Sequence, residues 1–371
     1  MNQLWDEIPG QIKAKKILTK ICETRRVPHA FLFSGDDGVG KFFTAIQFAN
    51  ILNQKSSQAN SDFINRKMSS LHEPYLKLIV PLPRGKGETG NDNATEKLSK
   101  EVLLTITEEI QKKTNNPYHK IFIEDANNIK INSIREIMKF VNTTFEELEY
   151  RFVIIEDAHL MSDQAQNALL KNLEEPPEGI IFILITSNKD ELLTTIQSRC
   201  WQINFEPLSS ESIKEILIQY FTIDNKTAAK ISNFSEGSVT SALSLLDTDI
   251  NYLLEKTISF LRFSLGKKYN QAYIELNNII KQSSNNSIRI ISQLIKAWLN
   301  DVARNKYSLM KYLFEDYKGT LEKFNEQFNQ TMVRYIFNSI DKLEECEDKN
   351  VNLNVVCLNL IFEIASISIR K

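Results

Sequence analysis

The sequence predicts an α/β domain, in which helices cover both faces of a parallel sheet, followed by a helical segment and an all-α C-terminal domain. Short apolar runs alternate with helical periodicity through the first 206 residues, and no such alternation follows. The chain has 371 residues, enough for two or three domains at roughly 150 residues each. Only 11 Gly and 9 Pro interrupt it, which favours long helices over an all-β sandwich.

Continuous apolar runs are typical of strands that are buried on both faces of a parallel sheet. Strand candidates lie at residues 30–34, 76–80, 121–123, 152–155, 180–185 and 201–205. Helical spacing of apolar residues follows two of them, at residues 41–52 and 162–173. This alternation of strand and helix predicts a largely parallel sheet that is covered by helices.

Two polar stretches, residues 54–61 and 83–94, interrupt this alternation. The second is rich in Gly, Asn and charge and has no apolar period, so it is predicted to be a mobile surface loop. Its Arg84 and Lys86 could touch a phosphate backbone, but a solvated loop tip is the favoured interpretation.

Helical signals dominate from Pro207 onward, beginning with a predicted helix start at residues 209–212. An amphipathic helix is predicted from apolar residues at steps of three and four, namely Ile288, Ile291, Ile295, Trp298 and Val302. Residues 353–369 predict a final apolar helix.

Composition excludes several classes of protein. Hydrophobic residues make up 42% and charged residues 25%, which excludes a largely disordered chain. With 45 Lys+Arg against 47 Asp+Glu the net charge is −2, so a basic nucleic-acid surface could only be a local patch. The N-terminus does not resemble a signal peptide, and the longest apolar stretch, residues 180–185, is far below the roughly 18 residues of a membrane span. We therefore expect a cytoplasmic protein.

The four cysteines, Cys22, Cys200, Cys346 and Cys357, show no C-x-x-C spacing, and no His lies beside them at ligand spacing. Neither a local zinc motif nor a disulfide framework is expected. We predict reduced, mostly buried thiols and no metal site.

A phosphate-binding loop is predicted where the first strand meets the first helix. It matches the pattern G-x-x-x-x-G-K and consists of Gly35, Asp36, Asp37, Gly38, Val39, Gly40, Lys41 and Phe42. Glycines let the backbone wrap closely round a phosphate, the N–H groups at the helix start meet the anion, and the lysine neutralises the outer phosphates. A chance glycine-rich turn is the alternative.

The loop departs from the pattern at one position. A Ser or Thr whose hydroxyl ligates Mg²⁺ should follow the lysine, and here Phe42 follows it. Thr44 lies about 200° further round the helix and cannot substitute. Asp36 and Asp37 also place negative charge in a loop that would hold phosphates.

Two acids, Glu156 and Asp157, end the apolar run at residues 152–155. This is the second element of a P-loop NTPase, in which one carboxylate supports Mg²⁺ and its neighbour orients the attacking water. The usual order is Asp-Glu, and it is reversed here. Solvated acids at an ordinary strand end are the alternative.

The chain resembles bacterial clamp-loader subunits, which are AAA+ proteins of the DNA polymerase III holoenzyme. The segments that carry the resemblance are residues 8–11, 27–35, 166–177 and 198–200. It is clear from residue 5 to about residue 245 and fades beyond. It implies an α/β P-loop AAA+ domain over residues 1–206, a helical lid over 207–250 and a C-terminal helical collar, which mediates oligomerisation, over 251–371.

Within this family the choice lies between the ATP-hydrolysing tau/gamma motor type and the delta-prime type, whose ATPase is weak or absent. Phe42 favours delta-prime, as does Thr240, which occupies the position we align with the motor's second-sensor arginine. The motor's zinc-binding cysteines are absent between Leu52 and Leu71, although some delta-prime proteins have them too. Asn188 resembles the first sensor, with a strand-end cap as the alternative.

Arg199 lies in a Ser-Arg-Cys block whose arginine, in the family, projects into a neighbouring subunit's ATP site, where it stabilises charge on the transferring phosphoryl group. A solvated arginine before a strand is the alternative. The resemblance implies tau/gamma and delta subunits as partners, the sliding clamp and primer-template DNA reached through the complex, and no membrane. No cofactor is required, and ATP would be bound, if at all, without efficient hydrolysis. The rival hypothesis is an active AAA+ ATPase.

Overall fold

The structure, a computed structural model, describes residues 2–56, 60–143, 145–246, 248–282, 287–307, 312–328, 334–348 and 351–368. The chain divides into two compact units, Met1–Phe221 and Thr222–Lys371. The domain boundaries given above, at residues 206 and 250, stay predictions.

The first unit is built on one sheet of five parallel strands in the order β2-β3-β4-β1-β5. The strands are β1 (Ala30–Ser34), β2 (Leu76–Ile79), β3 (Arg151–Ile155), β4 (Ile180–Thr186) and β5 (Trp201–Asn204). Every residue of β1, β3 and β4 is buried, which explains why these strands are continuous apolar runs. The five strand predictions that match them are confirmed to within one residue at each end.

The helices of the first unit are α1 (Asn2–Asp6), α2 (Ile12–Thr24), α3 (Lys41–Ser56), α4 (Ser61–Ser69), α5 (Lys100–Asn115), α6 (Ile131–Val141), α7 (Asp163–Glu174), α8 (Thr194–Arg199) and α9 (Ser210–Phe221). Short 3-10 helices lie at Ala158–Leu160 and Lys189–Glu191. Helices α6 and α7 pack on one face of the sheet, in a cluster that includes Leu32 and Val153. On the other face the Phe48 ring of α3 lies 5.2 Å from the Phe31 ring. Both faces of the sheet are therefore covered, as predicted.

The strand predicted at residues 121–123 is wrong, because this segment has no regular structure. The Phe122 N–H donates to Glu109 Oε2 at 2.9 Å instead of to a neighbouring strand. The segment is apolar because Ile123 packs into a small cluster with Val80 and Leu82.

The polar stretches also differ from expectation. Residues 54–56 continue α3, and Gln54 Nε2 donates to Asn65 Oδ1 of α4 at 2.8 Å, while residues 57–59 lie outside the described residues. The segment 83–94 lacks helix and strand, as predicted, but hydrogen bonds hold it in place. Its buried Glu88 pairs with Lys130 at 2.8 Å.

The described residues of the second unit form helices and connecting turns, with no strand among them. Its helices are α10 (Asn225–Ser232), α11 (Val239–Leu246), α12 (Ile250–Leu265), α13 (Tyr269–Gln282), α14 (Ser287–Lys306), α15 (Lys318–Gln327), α16 (Arg334–Asp348) and α17 (Leu353–Ser366). A 3-10 helix lies at Glu315–Tyr317. The apolar face predicted on α14 is buried, and its Trp298 stacks edge-on against Phe324 at 4.8 Å. That face belongs to the core of the unit.

Among the cysteines, Cys22, Cys200 and Cys357 are free and buried, as predicted. The side chain of Cys346 lies outside the described part of the chain. The last helix, predicted to reach residue 369, ends at Ser366, and residue 369 is not among the residues that the structure describes. Where the structure describes the chain, it has no helix with the length and apolar character to cross a membrane.

Candidate nucleotide site

The predicted phosphate loop lies between the end of β1 at Ser34 and the start of α3 at Lys41. Gly35 has a φ of +146° and faces the main chain so closely that a Cβ would lie 2.5 Å from Phe205 O. Only glycine fits there. The loop is held from outside by Gln11, whose Nε2 donates to Val39 O at 3.0 Å and to Glu206 O at 2.7 Å. The strand–loop–helix geometry of a phosphate loop is therefore present.

Lys41 turns back onto its own loop. Its side chain is buried, and Nζ donates to the carbonyl oxygens of Gly35 and Asp36. Burial lowers the pKa of Lys41, and the nearby carboxylates, Asp37 first among them, oppose that shift. The ammonium that should meet the outer phosphates thus has partners within the chain.

Asp37 is paired as well. Its carboxylate accepts a hydrogen bond from Lys120, which the sequence analysis did not single out. Burial acts to raise the pKa of Asp37, but the charges of Lys120 and then Lys41 outweigh it and lower the pKa to about 2. The exposed Asp36 lies beside it. The negative charge that seemed to conflict with phosphate binding is neutralised in part within the chain.

Phe42 is buried at the first turn of α3, with a lysine ammonium over its ring. Lys113 Nζ, from α5, lies 4.2 Å from the centre of the Phe42 ring. The same Nζ donates to Glu156 Oε1 at 2.7 Å and to His119 O at 2.7 Å. The Thr44 hydroxyl is engaged elsewhere, because it donates to Gly40 O at 2.8 Å. The side chains at this position do not fit a Mg²⁺ ion.

The predicted acids follow the end of β3 at Ile155. Glu156 N donates to Ile79 O at 2.9 Å, which holds the start of this turn beside β2, and Asp157 adopts a left-handed φ of 51°. Burial raises the pKa of Glu156, and the Lys113 ammonium opposes that rise. Glu156 Oε2 is buried without a hydrogen bond to any described residue. The structure therefore brings the two predicted motifs together through Lys113.

An aromatic residue that the sequence analysis missed covers the loop. Tyr118 is buried, and its Cε1 lies 3.4 Å from where a Cβ on Gly40 would be. Its ring meets Phe43 at 5.7 Å and Tyr220 at 5.2 Å. Burial, together with Tyr220, raises the pKa of Tyr118. No motif marks this residue, because its role depends on a segment that folds back from α5.

Asn188 follows β4 and makes the strand-end cap that the sequence left as its alternative. Its Oδ1 accepts from Asp190 N at 3.3 Å, and its Nδ2 donates to Glu191 Oε1 at 3.1 Å. Its own N–H donates to the hydroxyl of Thr186 at 3.1 Å. Asn188 is thus engaged with the short helix that it begins.

Arg199 is the last residue of α8, and its side chain is 34% exposed. Its Nη2 lies 2.7 Å from Glu174 Oε1 at the end of α7, and its Nη1 donates to Thr195 O at 2.9 Å. Glu174 belongs to the same block of sequence, residues 166–177, that carries the family resemblance. Thr240 lies in α11 of the second unit.

The family model "DNA polymerase III, delta subunit" matches residues 10–209, just over half of the chain. The chain belongs to this family. The prediction of a DNA polymerase III clamp-loader subunit is confirmed at the level of the family. No group of three or more His, Cys, Asp or Glu side chains arranged to hold a metal occurs within the described ranges.

The relatives are named as gamma or tau subunits. The chain is 27% identical over 365 residues to DNA polymerase III subunit gamma of Buchnera aphidicola subsp. Schizaphis graminum, covering 95% of this chain and 87% of the relative. It is 28% identical to subunit tau of Bacillus subtilis and 27% identical to subunit tau of Escherichia coli, with 67% of this chain covered in each case. The chain spans only 38% and 33% of the length of those two tau subunits.

Among solved structures, a DNA polymerase III gamma subunit-related protein from Thermotoga maritima aligns with a TM-score of 0.40 and 17% identity. The alignment covers 95% of this chain and 99% of that one.

Proposed function

We propose that the chain is a delta-prime-type subunit of a DNA polymerase III clamp loader. It acts as a largely non-hydrolysing AAA+ scaffold in the cytoplasm, supplies Arg199 to the ATP site of a neighbouring motor subunit, and helps to load the sliding clamp on primed DNA. Its partners in this proposal are tau/gamma and delta subunits, with the clamp and primer-template DNA reached through the complex.

The observation that carries the proposal is the contact between Phe42, Lys113 and Glu156. Hydrolysis by a P-loop NTPase needs Mg²⁺ held by a hydroxyl after the loop lysine and supported by the strand-end acid. Here a phenyl ring replaces the hydroxyl, and the acid is paired with a buried ammonium at 2.7 Å. We therefore expect the chain's own ATPase activity to be far below about one turnover per second.

Arg199 supports the second half of the proposal. It is partly exposed and its ion pair with Glu174 lies at the surface, where such pairs contribute roughly 0–1 kcal/mol. A guanidinium held so weakly can exchange its partner for a phosphoryl group on another subunit at little cost. Its role does not depend on the nucleotide site of its own chain.

The test is reconstitution of the clamp loader with wild-type chain or with Arg199→Ala. ATP hydrolysis at the adjoining motor site should fall by as much as about 10³-fold, because an arginine finger contributes that much, while assembly stays intact. Total hydrolysis falls less, since other motor sites keep their own arginines. Arg66→Ala is the matched control, since Arg66 on α4 also donates to the carbonyl four residues before it.

The measurements are clamp-stimulated ATP hydrolysis and clamp loading at equal concentrations of complex. Unchanged rates in both assays with Arg199→Ala would show that Arg199 is only a surface residue. Equal losses with Arg199→Ala and Arg66→Ala would also remove the specific role that we assign to Arg199.

The rival function is an ATP-hydrolysing motor of the tau/gamma type, and the names of the relatives favour it. It requires Mg²⁺-dependent turnover in spite of Phe42 and Thr240. Purified chain, free of any motor subunit, should be mixed with ATP, Mg²⁺ and primed DNA. Turnover of about one per second or faster would support the motor function and exclude the delta-prime assignment.

Oligomerisation through the second unit is a separate part of the proposal. The first unit has its own sheet and core, so a chain ending at Phe221 should stay folded. We expect this shortened chain to lose stable association with motor subunits in analytical ultracentrifugation. Assembly as tight as that of the full chain would show that the helical unit is not the collar.

A further inference from the structure

A buried lysine lies between the phosphate loop's Phe42 and the acid Glu156. Lys113 Nζ lies between the first turn of α3 and the acid after β3, at 4.2 Å from the Phe42 ring centre and 2.7 Å from Glu156 Oε1. We propose that the Lys113 ammonium is the resident cation of this site, in place of Mg²⁺, so that the loop binds no divalent metal. This inference deepens the proposed function and rests on it.

The ammonium is bound on every side that the structure describes. The Lys113 side chain is 3% exposed, and its partners are a carboxylate oxygen, the carbonyl of His119 and the face of an aromatic ring. A carboxylate, a carbonyl and a π face are three groups that bind a cation. A divalent ion within about 3 Å of this ammonium would meet strong repulsion, and it would find no hydroxyl to replace a water.

The position of Lys113 is fixed by its own helix. Glu109, one turn earlier on α5, accepts from His119 Nε2 at 2.8 Å and from Phe122 N at 2.9 Å. The carbonyl that binds Lys113 is therefore tied to α5 through a second contact. Such support around a bound group limits its movement, so the ammonium is held ready in place without a ligand.

The other cations of the site have internal partners too. Lys41 donates to loop carbonyl oxygens and Lys120 pairs with Asp37. In an ordinary phosphate loop, the nucleotide and its metal link the loop to the acids after the strand. Here lysines of the chain itself make that link. This arrangement explains how a phosphate loop keeps its shape while Phe42 replaces the metal ligand.

The experiment measures Mn²⁺ binding by the full-length isolated chain, by electron paramagnetic resonance, with and without ADP. Wild type should bind no Mn²⁺ below about 1 mM. Phe42→Ser should not bind it either, because the Lys113 ammonium still repels a divalent ion beside the restored hydroxyl. Phe42→Ser combined with Lys113→Met frees Glu156 and should bind Mn²⁺ in the presence of ADP at least about tenfold more tightly.

The matched control combines Phe42→Ser with Lys130→Met. Lys130 is a similarly buried ammonium, 11% exposed, that pairs with Glu88 at 2.8 Å in the same unit. The loss of either lysine should lower the melting temperature by roughly 10 °C, because each removes the ammonium that pairs with a buried carboxylate. Only the loss of Lys113 should create a metal site.

The inference is overturned if wild type or Phe42→Ser binds Mn²⁺ below about 1 mM, a measurement that does not depend on how well the double variants fold. It is also overturned if the folded Phe42→Ser/Lys113→Met chain binds no more tightly than its Lys130 control. Because these measurements need no partner subunit, they can fail while Arg199 still activates a motor site, and the reverse also holds.

Discussion

The phosphate loop and the surface ion pair of Arg199 with Glu174, which we call the edge, belong to the same unit. They hold their charges in opposite ways. At the loop, the Lys113 side chain is 3% exposed and its partner Glu156 is 15% exposed. At the edge, Arg199 and Glu174 are 34% and 50% exposed. The first pair is enclosed by the fold, whereas the second can be reached by another molecule.

The difference in exposure separates charges that stabilise the fold from charges that another molecule can reach. Breaking a buried ion pair leaves an uncompensated charge in the interior, so separating the two partners costs several kcal/mol, about 3–5. Water and salt can replace either partner of an exposed pair at small cost. In this unit the cations of the phosphate loop are held by the chain's own groups. The exposed Arg199 is the cation that our proposal makes available to another subunit.

The largest effect should come from breaking the loop pair. Lys113→Ala leaves Glu156 buried without its ammonium, and the free energy of unfolding should fall by about 3–5 kcal/mol. Arg199→Ala should cost less than about 0.5 kcal/mol, since that residue lies at the surface. Urea unfolding of the full chain, followed by circular dichroism, measures both. Equal losses for the two variants would remove the contrast between the two pairs.

A companion variant sharpens this result. Lys113→Met combined with Glu156→Gln removes both charges, so it should recover part of the stability that Lys113→Met alone loses. If the double variant is less stable than either single variant, the charge pair is not what holds α5 against β3.

A smaller effect is expected on acidification. The pKa of Asp37 is lowered to about 2 from an ordinary value of 3.8, so its ionised form favours the folded state. That contribution, about 1–2 kcal/mol after allowance for partial exposure, is present above about pH 4 and is lost as the pH falls toward 2. Asp37→Asn should therefore be less stable than wild type at pH 7, with the gap narrowing by pH 2.5.

The exposed neighbour supplies the control for this pH dependence. Asp36→Asn should change the free energy of unfolding by less than about 0.5 kcal/mol at pH 7. A stability gap for Asp37→Asn that stays constant from pH 7 to pH 2.5 would contradict the role given to its ion pair with Lys120. Urea titrations at the two pH values provide the measurement.

The smallest effect should come from the edge. Glu174→Gln removes the surface partner of Arg199, and the freed guanidinium should raise ATP hydrolysis at the neighbouring motor site by up to about fivefold. Glu175→Gln, one residue further along, is the control and should leave the rate unchanged. A fall in hydrolysis with Glu174→Gln would mean that Glu174 positions the arginine for its task instead of holding it back.

The sheet and the major motifs could be predicted because their signals are local. A strand such as β4 is apolar throughout since both of its faces are buried, and the phosphate loop requires glycine where the main chain of Phe205 lies close. The segment 121–123 misled the prediction, because an apolar run also arises where a loop packs on a small cluster. Its backbone N–H groups then need other partners, and the side chain of Glu109 provides one.

The amphipathic face of α14 shows that periodicity predicts an apolar face but not what covers it. Periodicity predicted the helix and its apolar side. In the structure Ile291 and Ile295 are fully buried in the second unit. Sequence spacing gives the width of an apolar stripe, but the partner that covers it depends on the packing of helices that are distant in sequence.

The sequence alone determined the α/β class, the parallel strands, the phosphate loop with its missing hydroxyl at Phe42, and the acids after β3. Each of these depends on neighbours within a few residues of the chain. Only the tertiary structure decided what fills the place of the metal, because Lys113 lies 71 positions from Phe42 and 43 from Glu156. In the sequence, Lys112 and Lys113 are two adjacent lysines near the end of a helix, a pattern that is common on protein surfaces. Their roles differ only after folding, which buries the Lys113 ammonium against a carboxylate and an aromatic ring.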